Sequence, residues 1–143
     1  MTLFLIALAV LVGIAVALQS QFMGTMNRTA GTAATILITY GVGGALAVLF
    51  WLARGRPLAG MRQIPWYGWT AGAFGLLIVG GVGFAAPRLG LSRTLVITVA
   101  AQLLAAVLID HFGLFGAEQR AIDIVRAVGL GVTVLGVWLV VKS

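Results

Sequence analysis

Five apolar stretches, each about the length of a membrane-crossing helix, fill this chain from end to end with only short polar connections between them. A helix rises about 1.5 Å per residue and a bilayer core is about 30 Å thick, so roughly 20 apolar residues are needed to cross it. The stretches cover residues 2–22, 30–53, 66–86, 94–111 and 121–141, and the three carboxylates all stand at stretch ends. Little of the 143 residues is left for a soluble catalytic domain, so function has to sit in or beside the bilayer. Composition agrees: 62% of residues are hydrophobic, 8% are charged and the mean hydropathy is +1.15, outside the range of water-soluble domains. The expected fold is an all-α integral membrane protein, one transmembrane unit of five helices over residues 1–143, with no internal repeat.

The net charge of +6 does not point to nucleic acid, because the nine Lys and Arg lie singly or in small groups at span ends rather than along a stripe. The lipid bilayer is the partner that this placement fits. The chain has no cysteine, which removes disulfides, thiolate chemistry and thiolate zinc sites. The first segment has neither a basic flank nor a small-residue cleavage site and is read as a span.

In chain order, the first span ends in the polar cluster Gln19, Ser20 and Gln21, and a connection is expected through Gly24, Asn27 and Arg28. The second span carries Thr32, Thr35 and Thr39 at helical spacing, then Tyr40. A basic loop with Arg54, Arg56, Pro57, Arg62 and Pro65 follows, bracketed by Trp51, Trp66, Tyr67 and Trp69, whose amphipathic rings suit the membrane interface. The third span is glycine-rich. Gly68 and Gly72 are spaced for a close helix approach, and Pro87-Arg88 is expected to close the span. In the fourth, Gln102 falls roughly 13 Å from either end, where lipid offers an amide no hydrogen bond. It must therefore face other helices or a cavity, either cementing a contact or meeting a solute. Thr94, Thr98 and Gln102 form a stripe at intervals of four. DHFGLFG (110–116) is too short and glycine-broken to span and belongs in the interface, and Asp123 is spaced to pair with Arg126.

No catalytic constellation is present, so an enzyme is not expected, nor a cofactor or a metal site. The single His stands beside Asp110 at a span end, where an interfacial stop signal competes with a proton relay as the reading of the pair. No span holds a central carboxylate, which argues against cation–proton exchange on an embedded Glu. Gln19, Thr35, Thr39, Tyr40, Thr98 and Gln102 come from three spans, and polar groups converging near mid-depth are how a solute site is built.

The segments GIAVALQ (13–19), PWYGWTAGAFG (65–75) and APRLGLSRTLVITVAAQLLAAVLIDHFGLFG (86–116) resemble the half-length, five-helix bacterial proteins of the drug/metabolite transporter superfamily, the YdcZ-type relatives of EamA-type transporters. The resemblance covers essentially the whole chain. Ala101 stands where members typically have Gly, and Met23 where they often have Asn. It implies a multi-pass bacterial inner-membrane protein, a secondary transporter working by alternating access and built from two inverted five-helix halves. The expected solute is a small polar or partly aromatic metabolite, bound near the midplane at a dimer interface. A protein of a different class, a non-transporting membrane subunit that packs against another membrane protein through its glycine faces, is the competing expectation.

Five spans would place Arg54, Arg56, Arg62, Arg120 and Arg126 on one side and Arg28, Arg88, Arg93 and Lys142 on the other. Five against four is nearly no orienting instruction. Insertion both ways up, giving an antiparallel, dual-topology homodimer of 5+5 helices, is therefore expected.

Overall fold

The computed structural model describes residues 2–55 and 60–142. Arg56, Pro57, Ser143 and the side chain of Arg62 lie outside the described residues. Four helices dominate: α1 (Thr2–Ala53), α2 (Ala71–Leu89), α3 (Leu91–Phe112) and α4 (Ile124–Lys142), with short 3-10 turns at Met61–Gln63, Trp66–Thr70 and Leu114–Gly116. All four are long and apolar enough to cross a bilayer, the third crossing counted from Trp66 through its leading turn. The chain divides into two compact units, Met1–Arg88 and Leu89–Ser143.

In the first unit, α1 is 52 residues long and would reach about 78 Å if straight, far beyond one bilayer core. It is not straight. Gly31 has φ 80° and ψ 172°, a backbone region that essentially only glycine occupies, and it divides α1 into two limbs. Gln19 on the first limb lines the same groove as Gly43 on the second, although a straight helix would hold them about 36 Å apart. The limbs therefore lie side by side. The expected loop at Gly24–Arg28 is helical instead, because its polar side chains turn inward on the helix. The hydroxyls of Ser20, Thr25 and Thr29 donate to the carbonyls of Val16, Gln21 and Thr25. At the corner the buried Asn27 amide donates to the Thr32 hydroxyl at 2.8 Å, tying the two limbs across the break.

Helix α2 packs on both limbs. Met23, Val79 and Val82 form a small apolar cluster with Met26 and Ile36 against it. A Cβ at Gly83 would lie 3.4 Å from Thr35 Cγ2 and 3.6 Å from Met23 Cβ, and one at Gly24 would lie 3.6 Å from Ala86 Cβ. The close approach expected at Gly68 and Gly72 is thus made by Gly24, Gly80 and Gly83, since a Cβ at Gly72 would meet nothing within 4 Å. The third span also runs past its expected end, through Pro87 to Leu89. A proline this near the C-terminus forfeits a single backbone hydrogen bond.

In the second unit, α3 and α4 form an antiparallel pair joined by a compact connection. Gly113 ends α3 in the left-handed conformation, with its N–H on the Asp110 carbonyl. The Asp123 carboxylate accepts the Arg126 backbone N–H at 2.8 Å, so this residue caps α4 rather than pairing with the Arg126 side chain.

Contrary to the sequence expectation, the chain repeats a local motif. Gly90 (φ 90°, ψ 145°) opens α3 as Gly31 opens the second limb of α1. Four residues on from each glycine, a buried threonine, Thr35 or Thr94, donates to that glycine's carbonyl at 2.9 Å. The shift is 59 residues, and it also superimposes Gly24 on Gly83, Ile38 on Ile97 and Thr39 on Thr98. Under it the buried residues Ser20, Met23, Gly24, Asn27 and Thr35 fall on the buried Val79, Val82, Gly83, Ala86 and Thr94.

The interior is small and partly polar, and the large aliphatic and aromatic side chains point outward along every helix. In water that surface would carry a heavy hydrophobic penalty; in hydrocarbon it carries none, and association rests on small residues and internal hydrogen bonds. Three helices end alike, with a cation over an aromatic ring four residues earlier: Arg54 on Phe50, Arg88 on Phe84 and Lys142 on Trp138. Such pairs hold the charge at the interface while the ring stays in the membrane. Trp66 and Trp69 are strongly exposed on the turn that leads into α2, in keeping with an aromatic belt.

Candidate functional site

The first unit holds a groove of about 420 Å³ between the two limbs of α1 and α2. Gln19 enters it from the first limb, Thr39, Tyr40, Gly43, Gly44 and Ala47 from the second, and Val79 from α2. Spacings of three and four put the second-limb residues on one helix face, and the reversal at Gly31 brings Gln19 opposite them. The absence of side chains at Gly43 and Gly44 leaves the space open, since a Cβ at either meets nothing within 4 Å.

Within this groove the Thr39 hydroxyl is the informative atom. It is buried and has no hydrogen-bond partner among the described residues. A helical threonine normally satisfies itself on the carbonyl four residues back, as Thr98, its counterpart in the repeat, does on Thr94 at 2.7 Å. A buried hydroxyl left without a partner costs about 1–3 kcal/mol, so a ligand group reaching Thr39 recovers that energy. The remaining polar wall is the Gln19 amide and the Tyr40 phenol, both donors and acceptors without charge.

Of the sequence-predicted site residues, the first unit brings Gln19, Thr39 and Tyr40 together. Thr35 is apart from them: it is 0% exposed, and its hydroxyl is taken up by the Gly31 carbonyl. In the second unit Thr98 is half-buried and Gln102 is exposed on α3. α3 meets α4 through Leu95, Val96, Val99 and Ala100, a set that does not include Thr98 or Gln102. In the repeat's register Gln102 takes the place of Gly43. The sequence reading missed Gly43, Gly44, Ala47 and Val79. Tyr40-Gly41-Val42-Gly43-Gly44 carried the signal, small residues beside an aromatic one on a helix face.

Asp110 and His111 serve the connection between α3 and α4. His111 Nδ1 accepts the Ile122 N–H at 3.3 Å, its carbonyl accepts from Gln119, and the Asp110 carbonyl accepts the Arg120 N–H. Nearby, Glu118 and Arg120 pair at 2.6 Å. The hydrogen bond and charge of Arg120 hold the Glu118 carboxyl below its ordinary value and raise the guanidinium in return. Among the described residues no group of three or more His, Cys, Asp or Glu could hold a metal ion.

The family model described as "Putative inner membrane exporter, YdcZ" matches residues 4–139. No curated protein and no solved structure matches the chain.

Proposed function

This chain belongs to the YdcZ family of inner membrane exporters of the drug/metabolite transporter type, and from that membership we propose that it carries a small, uncharged, polar or partly aromatic metabolite across the membrane by alternating access. The observation that carries the reading is the partnerless, buried Thr39 hydroxyl in a groove whose other polar groups are Gln19 and Tyr40. The groove volume suits a single-ring solute. The break at Gly31 supports counting the limbs of α1 as two crossings, so that the chain acts as one unit of five spans. Five spans leave the near-equal division of positive charge described above. Two copies in opposite orientation would then supply the inverted halves of a transporter, with the site near the midplane. No covalent chemistry and no cofactor enter this reading.

A thermal-shift screen of neutral amides, alcohols and single-ring solutes tests it. Solutes that stabilise the native protein should lose their effect on Gln19→Leu and Thr39→Val while both variants stay folded. Stabilisation by quaternary cations or polyanions alone sinks the proposal. For the dimer, reporters fused after Ser143 should signal from both membrane faces, and a signal confined to one face excludes the antiparallel homodimer.

A further inference from the structure

Tyr40 forms a wall of the groove, yet its ring reaches out to α2, and the hydroxyl at its far end occupies the space where Gly75 lacks a side chain. A Cβ at Gly75 would overlap that hydroxyl, whereas the next ring atom, Cζ, would be 3.1 Å away. The glycine itself is helical, so backbone conformation does not call for it. Helix propensity disfavours it by about 1 kcal/mol relative to alanine. Nor does close packing of α2 on α1 account for it, because the nearest three atoms to such a Cβ all belong to the Tyr40 side chain. The slot thus serves one side chain, and that side chain bounds the groove.

We propose that Gly75 is a positioning residue that sets the size of solute the groove admits, by receiving the Tyr40 hydroxyl and so keeping the ring at the edge of the cavity. A methyl group at position 75 evicts the hydroxyl. Because the atom that must move is the free end of a side chain, the ring swings and the helices stay in place. The ring then takes up part of a cavity of about 420 Å³, leaving room for the smallest solutes only. The proposal rests on the groove being the solute site, but the slot can be tested without a solute.

The chain has no cysteine, so a thiol introduced by Gly43→Cys is the only one, and a Cβ at that position meets nothing within 4 Å. Its rate of modification by a small methanethiosulfonate and by a bulky naphthylmaleimide gives a ratio that reports the width of the groove. Gly75→Ala should lower the bulky-to-small ratio by about tenfold, an estimate that follows from about 1.4 kcal/mol of steric obstruction. Adding Tyr40→Phe, which removes the overlapping atom, should restore the ratio, and Gly72→Ala should leave it unchanged. A ratio indifferent to Gly75→Ala, or a loss that Tyr40→Phe does not rescue, overturns the slot. Benzamide and 2-naphthamide, as neutral one-ring and two-ring probes, then test selection by thermal shift. If the native protein responds to benzamide, Gly75→Ala should keep more of that response than of its response to 2-naphthamide, and equal losses overturn the size role. If no neutral solute of the screen above acts on the native protein while the thiol ratios behave as stated, the slot stands and the solute class proposed above is what fails.

Discussion

Each unit of the molecule has a groove between helices, and the two are close in size, about 420 Å³ in the first and about 390 Å³ in the second. They differ in what lines them. The first is lined by Gln19, Tyr40 and Thr39, whose buried hydroxyl nothing satisfies. The second is walled by Leu95, Val96, Val99, Ala100, Gly136, Val137 and Val140, and its one hydroxyl, on Thr133, donates to the Gly129 carbonyl at 2.9 Å. Volume between transmembrane helices is therefore no mark of a solute site. What separates the two is polar capacity left unused, since a hydroxyl closed on its own helix offers a solute little and an open one offers a hydrogen bond otherwise lost.

The sharpest way to break this comparison is to fill each side with the same group. Gly83→Leu puts a side chain where Thr35 and Met23 already lie and should destabilise the first unit by about 1–3 kcal/mol, the usual cost of overpacking. Gly136→Leu enters open space in the second groove and should stay within about 0.5 kcal/mol of the native protein. Unfolding of both variants in one detergent, followed by circular dichroism, checks the pair. Equal losses would show that the contact of α2 with α1 is no more tightly packed than the groove between α3 and α4.

A smaller effect is expected from removing each hydroxyl. Thr39→Val should weaken solute binding about tenfold, the worth of one hydrogen bond to a buried group, while leaving stability unchanged or slightly higher because an unsatisfied group is gone. Thr133→Val should leave solute binding untouched. Equilibrium binding of a solute identified by the screen decides between them, and a comparable loss in both variants would erase the distinction.

The smallest effect lies outside both grooves, at the Glu118–Arg120 pair, and it sets the background against which the others are read. Glu118 has a lowered pKa in the fold, so whatever the pair contributes is present above the ordinary carboxylate value and is lost as pH falls through the lowered one. Both side chains are largely in solvent, at 58% and 78% exposure, so the contribution is small. Melting temperatures of the native protein and Glu118→Gln should nearly coincide at neutral pH and merge on acidification. A wide gap at neutral pH would reveal a structural role for the connection.

The helices were legible because charge is excluded from hydrocarbon, so Arg54, Arg88 and Lys142 mark helix ends whatever the packing. Their corners were less so. Residues 24–29 read as a loop by polarity, yet a threonine hydroxyl can turn back on its own helix, and the break falls at Gly31, a glycine unlike its neighbours only in a backbone angle. The repeat escaped notice because it survives in a few glycine and threonine positions while the residues between them diverge. As for the site, Gln19, Thr39 and Tyr40 were visible as costly polar groups in an apolar run. That Thr35 turns its hydroxyl on Gly31 while Thr39 does not is a difference of local geometry, and both look alike in a list of threonines at helical spacing.

The paired glycine corners bear on how such a chain reaches its final state. A hairpin whose two arms meet within some thirty residues closes by local search, at little loop-closure cost. The segment around Gly31 can therefore fold before the second unit has been synthesised. Each corner fixes its own threonine on its own glycine, so neither needs a distant part of the chain as a template. α4 closes on α3 in an equally local way through the compact connection at Gly113, so assembly becomes two self-contained moves, one within each unit.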